Sequence, residues 1–190
     1  YLIKSKTKNV LIDTGTNAAF TNIEKSLDWL GLSLADVHLI INTHEHFDHI
    51  GANRYFGKTA IIAAHRLAAV KIERQDEYVT MYNRCGVCKD KENCDLQSSG
   101  KNKKMIVPQL WLENGTFFDL GNFHLLIIYT PGHTSGCICV YEPERKILFS
   151  GDTVFANGIL SVIAPSGSAG DYINSLHLLD ILKIELILPG

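Results

Sequence analysis

Four side chains that bind metal ions well fall within six consecutive residues of this chain. Residues 44–49 read HEHFDH, a pattern of the form HxHxDH. Imidazole nitrogens and carboxylate oxygens are preferred ligands of zinc and similar ions, and catalytic sites leave one coordination position for water. His44 and His46 are two residues apart, so on an extended chain both point to the same side and can reach one ion. With Asp48 and His49 nearby, the segment predicts a metal-dependent enzyme.

Two other segments place a candidate ligand directly after an apolar run. His133 lies in the segment TPGHTSG, which follows the apolar residues 123–129, and Asp152 lies in FSGDT. Taken alone, a histidine after Pro-Gly or an aspartate after Ser-Gly is often only a turn residue. Because the HxHxDH segment, His133 and Asp152 all follow strand-like runs, we expect them to contribute to one site.

The elements that must position these side chains alternate along the chain. Strands are predicted at residues 1–3, 10–12, 37–41, 59–63, 110–112, 116–120, 123–130, 137–141, 146–150 and 186–188, and helices at 21–31, 50–56, 65–82 and 169–183. Thr21 and Glu24 have the spacing of a capping box at the start of the first helix. Strands and helices in alternating blocks predict a layered α/β or α+β domain.

Length and composition predict one globular domain over residues 1–190. A chain of 190 residues with 46% hydrophobic content can bury one sizeable core. The net charge of −2 gives no overall attraction for nucleic acid or an anionic membrane. No apolar run approaches the roughly 20 residues that cross a bilayer, and no signal peptide opens the chain. We therefore expect a cytoplasmic protein that acts on a small molecule, without nucleic-acid or membrane partners.

Residues 71–104 differ in composition from the rest of the chain. They hold 14 charged residues in 34 positions, together with Cys85, Cys88 and Cys94. Three local thiols are one short of the four ligands of a structural zinc ion, so a second metal cluster, a disulfide and free thiols all stay open. A long polar insertion cannot join the core, and we expect it to form a lid over the metal site.

Four ordered segments resemble the metallo-β-lactamase fold superfamily. They are LIDTG at 11–15, THEHFDHIG at 43–51, PGHTSG at 131–136 and SGDT at 150–153. The resemblance covers essentially the whole chain. It implies an α+β fold, namely a four-layer αβ/βα sandwich with helices outside, two mixed sheets inside and a metal site along one edge.

The resemblance also implies a ligand set for two divalent ions. By the family's pattern, one ion would be held by His44, His46 and His133, the other by Asp48 and His49, with Asp152 bridging the two. Zinc is the expected metal, with iron and manganese as alternatives. Asp48 would in addition orient the nucleophile or accept its proton, and Asp13 would be a structural or supporting carboxylate and not a ligand.

The family carries one more histidine ligand, after a strand and a Leu-Pro-Gly turn near the C-terminus. This chain ends at Leu188-Pro189-Gly190, so we expect histidine as the next residue of the intact protein. The chain also starts at Tyr1, inside an apolar run and without methionine. We therefore expect truncation at both ends, and weak binding of the second ion.

The implied activity is hydrolysis of an ester-like bond by a metal-bound hydroxide. Two divalent ions lower the pKa of a shared water and polarise the carbonyl or phosphoryl oxygen of the substrate. A lactone, a thioester and a phosphodiester all remain open as substrates, in a glyoxalase-II-like or lactonase-like branch. A mononuclear-iron persulfide dioxygenase and a non-catalytic metal-binding module are the alternatives.

Differences from the sequence patterns of other branches of the superfamily narrow the range of expected activities. True β-lactamases of the superfamily generally replace the residue at the position of His49, and flavodiiron proteins place an acid at the position of His46. Glyoxalase-II-like thioesterases carry Gly-Arg-x-Asp after the Gly-Asp-Thr motif, whereas residues 157–161 here read NGILS. A glutathione thioester is therefore not favoured.

Overall fold

The computed structural model describes residues 1–74 and 107–190, which contain two five-stranded β-sheets. The first sheet has its strands in chain order: β1 (Leu2–Ile3), β2 (Asn9–Ile12), β3 (Val37–Asn42), β4 (Ile61–His65) and β5 (Leu110–Leu112). β1 is antiparallel to β2, and the remaining neighbours are parallel. The sheet is therefore mixed.

The second sheet has the reverse strand order, from β10 to β6. Its strands are β6 (Phe117–Asp119), β7 (His124–Tyr129), β8 (Ile138–Glu142), β9 (Ile147–Gly151) and β10 (Leu186–Pro189). Neighbours from β6 to β9 are antiparallel, as expected for strands joined by short turns, and β10 is parallel to β9.

Helices connect and cover these sheets. They are α1 (Phe20–Trp29), α2 (Phe47–Ile50), α3 (Arg66–Arg74) and α4 (Ala169–Asp180), with short 3-10 helices at Asn17–Ala19, Leu34–Asp36, Asn53–Tyr55 and Ala156–Gly158. Within residues 1–74 and 107–190, none of the helices is long and apolar enough to span a membrane.

Alternation along the strands divides the core into three layers of side chains. Val10 and Ile12 of β2 point between the two sheets and pack with Ile127 of β7, whereas the intervening Leu11 packs on the outer face with Leu27 of α1. On the other side, Ile128, Cys139, Tyr141 and Leu148 pack with Leu179 of α4. The order helix, sheet, sheet, helix confirms the predicted four-layer αβ/βα sandwich.

Several element boundaries differ from the sequence prediction, and three of the differences concern the first helix, the fourth strand and the helix predicted at 50–56. The capping box predicted at Thr21 is wrong, because α1 begins at Phe20 directly after a 3-10 helix that the Thr16 side chain caps. The strand predicted at 59–63 runs over residues 61–65, so His65 ends a strand and does not begin a helix. The short helix predicted at 50–56 is divided into α2 and the 3-10 helix at 53–55.

The predicted insert at 71–104 begins inside α3, which continues to Arg74. Cys85, Cys88 and Cys94 lie outside the described residues. The lid over the metal site, the cysteine cluster and the single domain over residues 1–190 therefore stay predictions.

Candidate metal centre

The predicted ligands lie at one edge of the sandwich, where loops from both sheets meet. The HxHxDH segment follows β3, His133 lies between β7 and β8, and Asp152 follows β9. The backbone N–H of Ile138 donates to the carbonyl of Thr43 at 2.9 Å, which joins the sheets at this edge. Gly151 has φ +50°, and a Cβ there would lie 2.5 Å from the Thr43 hydroxyl. Glycine therefore permits the close approach that brings Asp152 to the site.

Three buried imidazoles form the first set of candidate ligands, which we call the histidine group: His44, His46 and His133. The Nδ1 atom of His46 lies 3.0 Å from Nε2 of His44 and 3.0 Å from Nε2 of His133. All three ligand nitrogens lie within 4.8 Å of one another. This spacing fits one metal ion.

Hydrogen bonds on the outer side fix the tautomers of two of these rings. Nδ1 of His133 lies 2.6 Å from the carbonyl oxygen of Val162, which can only accept, so this nitrogen carries the proton. The Thr43 hydroxyl donates to Asp13 at 2.7 Å and lies 3.1 Å from Nδ1 of His44, so it accepts from that ring. Both Nε2 atoms are therefore left with lone pairs that face the centre.

Burial favours the neutral form of two rings of the histidine group, His44 and His46. It lowers the pKa of His44 well below the usual value, and it lowers the pKa of His46 to about 3, with the neighbouring imidazoles acting in the same direction. Neutral imidazole is the form that binds metals. The donor chemistry of this group therefore fits a borderline divalent ion such as zinc.

A second set of candidate ligands contains His44, His49 and Asp152, and we call it the carboxylate group. One oxygen of Asp152 lies 3.2 Å from Nε2 of His49, and the other lies 3.9 Å from Nε2 of His44 and 3.5 Å from Nε2 of His133. Asp152 thus lies between the two groups. Asp13 accepts from Nδ1 of His49 at 2.7 Å and from the backbone N–H of Thr43 at 2.8 Å, so it orients His49 from behind.

Negative charge distinguishes the carboxylate group. Burial opposes protonation of His49, yet the Asp13 and Asp152 carboxylates raise the pKa of this imidazole well above its usual value. Burial likewise acts to raise the pKa of Asp152, but its hydrogen bond to His49 lowers that pKa overall. A potential that favours positive charge on His49 also favours a divalent cation beside it.

Asp48 belongs to neither group. It is an exposed residue of α2 and lines an open cavity of about 520 Å³ together with Asp13, His49 and Gly190. Partial desolvation by the walls of this cavity raises the pKa of the Asp48 carboxyl group. Its predicted roles as a ligand and as the catalytic carboxylate stay predictions, whereas the other five predicted ligands are brought together in the two groups.

Gly190 also lies against the carboxylate group. Its N–H donates to the carbonyl of Gly151 at 2.8 Å, and a Cβ at this position would lie 2.4 Å from Cε1 of His49 and 2.7 Å from a carboxylate oxygen of Asp152. The backbone at the end of β10 is therefore part of the wall of the site.

Sequence reasoning missed several residues that support the centre. Ser161 and Val162 contact His133, although nothing in the segment NGILS indicates a contact with a histidine 28 residues away. The HxHxDH pattern treats Glu45 only as a spacer, but this residue is fully buried and pairs with Lys71. Alternation alone could have drawn attention to Glu45, because its side chain must point away from His44 and His46.

A further cluster, formed by His124, Glu142 and Glu144, also has its ligand atoms within 4.8 Å. Glu142 is already paired there with Arg145, whose Nη1 donates to it at 3.1 Å. This cluster is therefore explained as an ion-pair network at the far end of β8.

The chain is similar in sequence to several known hydrolases. Acyl-coenzyme A thioesterase MBLAC2 of Homo sapiens is 29% identical over 209 residues, which span 100% of this chain and 71% of the relative. "Probable metallo-hydrolase MJ0888" of Methanocaldococcus jannaschii is 34% identical over 199 residues, or 100% of this chain and 85% of that protein. Hydroxyacylglutathione hydrolase of Bartonella tribocorum is 30% identical over 177 residues, or 93% of this chain and 54% of that protein.

Solved structures share the fold. The crystal structure of metallo-beta-lactamase family protein TTHA1429 from Thermus thermophilus has a TM-score of 0.79 and 24% identity, and covers 100% of this chain and 67% of that chain. The sequence profile of the metallo-beta-lactamase superfamily matches residues 1–190. Given the sandwich, the edge site and this match over the whole length, the chain belongs to the metallo-β-lactamase superfamily.

Proposed function

We propose that this protein is a metal-dependent hydrolase that cleaves acyl thioesters. The observation that carries the proposal is the convergence of three buried imidazoles with His49 and a carboxylate that lies between the two groups. The similarity to an acyl-coenzyme A thioesterase and to hydroxyacylglutathione hydrolases supports the thioester as the scissile bond, in preference to a lactone or a phosphodiester.

Two ions of zinc are the proposed cofactors. His44, His46 and His133 would hold the first, and His49 with Asp48 would contribute to the second, with Asp152 shared between them. When bound, the ions would lower the pKa of a water molecule and polarise the carbonyl oxygen of the thioester.

The residues of the chain would carry out the proton transfers of the reaction. The oxygen of a water molecule attacks the thioester carbonyl carbon, the carbon–sulfur bond breaks, and the products are a carboxylic acid and a thiol. Asp48, which faces the open cavity beside His49, would accept the proton of the attacking water and return it to the leaving sulfur. Burial raises the pKa of its carboxyl group, which is the direction that favours uptake of a proton by this residue.

An exposed apolar loop beside His133 supports an acyl substrate. Four large aliphatic side chains, Ile159, Leu160, Val162 and Ile163, are 41–69% exposed within five residues. The backbone of this loop holds the His133 ring, so the loop lies one imidazole away from the centre. Contiguous exposed apolar surface next to a reaction centre is typical of a binding surface for an apolar ligand.

A substrate panel with metal-loaded and chelator-treated protein tests the proposal. We expect release of free thiol from acyl thioesters by the zinc-loaded protein, loss of that release after chelation, and recovery on adding zinc. Leu160→Ser should reduce activity on a long-chain thioester and leave an acetyl thioester unchanged, with the exposed and distant Ile181→Ser as the matched control. Hydrolysis of only lactones or phosphodiesters, or oxygen uptake with bound iron, would contradict the proposal.

A further inference from the structure

A buried ion pair lies directly behind the histidine group. Glu45, between His44 and His46, is 0% exposed, and a buried carboxylate is costly unless it is paired and hydrogen-bonded. Lys71 of α3 donates to Oε1 of Glu45 at 2.5 Å, and the Thr134 hydroxyl donates to Oε2 at 3.0 Å. Both carboxylate oxygens are therefore used.

Lys71 is held as completely as Glu45. Its ammonium group also donates to the hydroxyl of Ser135 at 2.7 Å and to that of Ser166 at 3.0 Å, so three acceptors match its three protons. A Cβ at Gly136 would lie 2.6 Å from the backbone nitrogen of Ala68, which shows how closely α3 packs on this loop. These contacts fix the ammonium group of Lys71, which extends from α3, against the loop that follows β7.

The pair connects the two segments that supply the histidine group. Glu45 lies in the segment that follows β3 of the first sheet. Thr134, which donates to Glu45, and Ser135, which accepts from Lys71, directly follow His133 in the loop after β7 of the second sheet. A shift of either segment would move Nε2 of His133 away from Nδ1 of His46, and it would also break charge-assisted hydrogen bonds inside the protein.

We propose that Glu45 and Lys71 are positioning residues for the metal centre. They hold the loops that carry His44, His46 and His133 at the spacing that receives one ion. The inference rests on the metal-binding role proposed above, but it concerns residues that touch neither metal nor substrate.

The molecule contains a matched buried carboxylate. Glu142 is also 0% exposed and is paired with Arg145, but it lies at the end of β8 opposite to the metal edge. If the pairs only stabilise the fold, Glu45→Gln and Glu142→Gln should have similar consequences. If Glu45 positions ligands, only Glu45→Gln should alter metal binding.

The experiment measures the zinc dissociation constant of the tightest site by competition with a chromophoric chelator, together with the melting temperature of the metal-free protein. Glu45→Gln is expected to weaken zinc binding by about 10- to 100-fold, the range found when groups that support metal ligands are removed. Glu142→Gln is expected to lower the melting temperature and leave zinc affinity within about twofold of the wild type.

A second pair of variants avoids leaving Lys71 without a partner. Thr134→Val removes the hydroxyl that binds Glu45 at nearly constant shape, and should weaken zinc binding in the same direction, whereas Thr134→Ser retains the hydroxyl and should keep the wild-type affinity. If Glu45→Gln does not fold, the zinc affinity of Thr134→Val tests the positioning role. Wild-type zinc affinity in the folded variants would overturn the positioning role alone, and absence of zinc binding by the wild type would overturn the proposed metal centre itself.

Discussion

The histidine group and the carboxylate group share His44 but are built on different physical principles. In the histidine group, the rings are at most 3% exposed, and uncharged groups contact their outer nitrogens: the Thr43 hydroxyl for His44, and the Val162 carbonyl and Ser161 hydroxyl for His133. In the carboxylate group, the Asp152 side chain is 17% exposed, and Asp13 contributes a second negative charge behind His49.

This difference indicates how each group would retain an ion. Neutral imidazoles in a buried site bind through directed lone pairs, so their affinity depends on the spacing of the rings. The carboxylate group relies more on charge, which water and salt screen at a partly exposed site. We therefore expect a tight first ion held by geometry and a weaker second ion held by electrostatics.

The largest effect is expected for His46→Ala. Nδ1 of this ring lies 3.0 Å from its two neighbours, so its loss removes the centre of the histidine group. Bound zinc, measured by elemental analysis, should fall below one ion per chain and thioester hydrolysis should be lost. Retention of full activity would show that the reaction does not depend on this group.

Asp48→Ala separates chemistry from metal retention in the histidine group. Loss of a group that transfers protons should reduce turnover by about 10²–10⁴-fold. The tight zinc ion should remain, because Asp48 lies outside the histidine group. The test measures kcat and zinc content on the same sample. Full turnover with metal retained would refute the role proposed for this carboxylate.

Asp13→Asn tests the carboxylate group without removing a ligand. It takes away the charge that faces Nδ1 of His49, so binding of the second ion should weaken by about 10- to 100-fold while the first is retained. Asp119→Asn, an exposed position on β6, is the control. Equal loss of both ions in the zinc titration would contradict the separation of the two groups.

A small effect is expected for Ser161→Ala. The Ser161 hydroxyl lies 2.9 Å from Nδ1 of His133, but the Val162 carbonyl at 2.6 Å already fixes this nitrogen. One net hydrogen bond corresponds to less than about a tenfold change in zinc affinity. A larger loss, in the same chelator competition, would show that the Ser161 hydroxyl and not the Val162 carbonyl orients the ring.

Sequence patterns predicted the features of this molecule that depend on local periodicity. The buried run predicted as a strand at 37–41 forms β3, and the HxHxDH residues lie at the end of that strand, as predicted. Periodicity indicated only a layered domain, and the four-layer sandwich was implied by the resemblance to a known family. The alternation of side chains along a strand explains why Ile12 faces the second sheet while Leu11 faces α1.

Contacts between residues far apart in the sequence could not be predicted from local patterns. Lys71 meets Ser166 across 95 positions, and the Val162 carbonyl meets His133 across 29. Neither contact leaves a local pattern, since a lysine on a helix is ordinarily solvated and a backbone carbonyl has no residue signature. The predicted start of α1 was wrong for a local reason. Thr16 caps a 3-10 helix that leads directly into α1, so α1 begins at Phe20 and Thr21 does not cap it.

The most direct test of the proposed metal centre is a titration of zinc into the metal-free protein while thiol release from an acyl thioester is recorded. We predict no release without metal, and a rate that rises with bound zinc as the histidine group and then the carboxylate group fill. The same rate in metal-free and zinc-loaded protein, or no release when both groups are filled, would contradict the metal-dependent thioester hydrolysis proposed for this site.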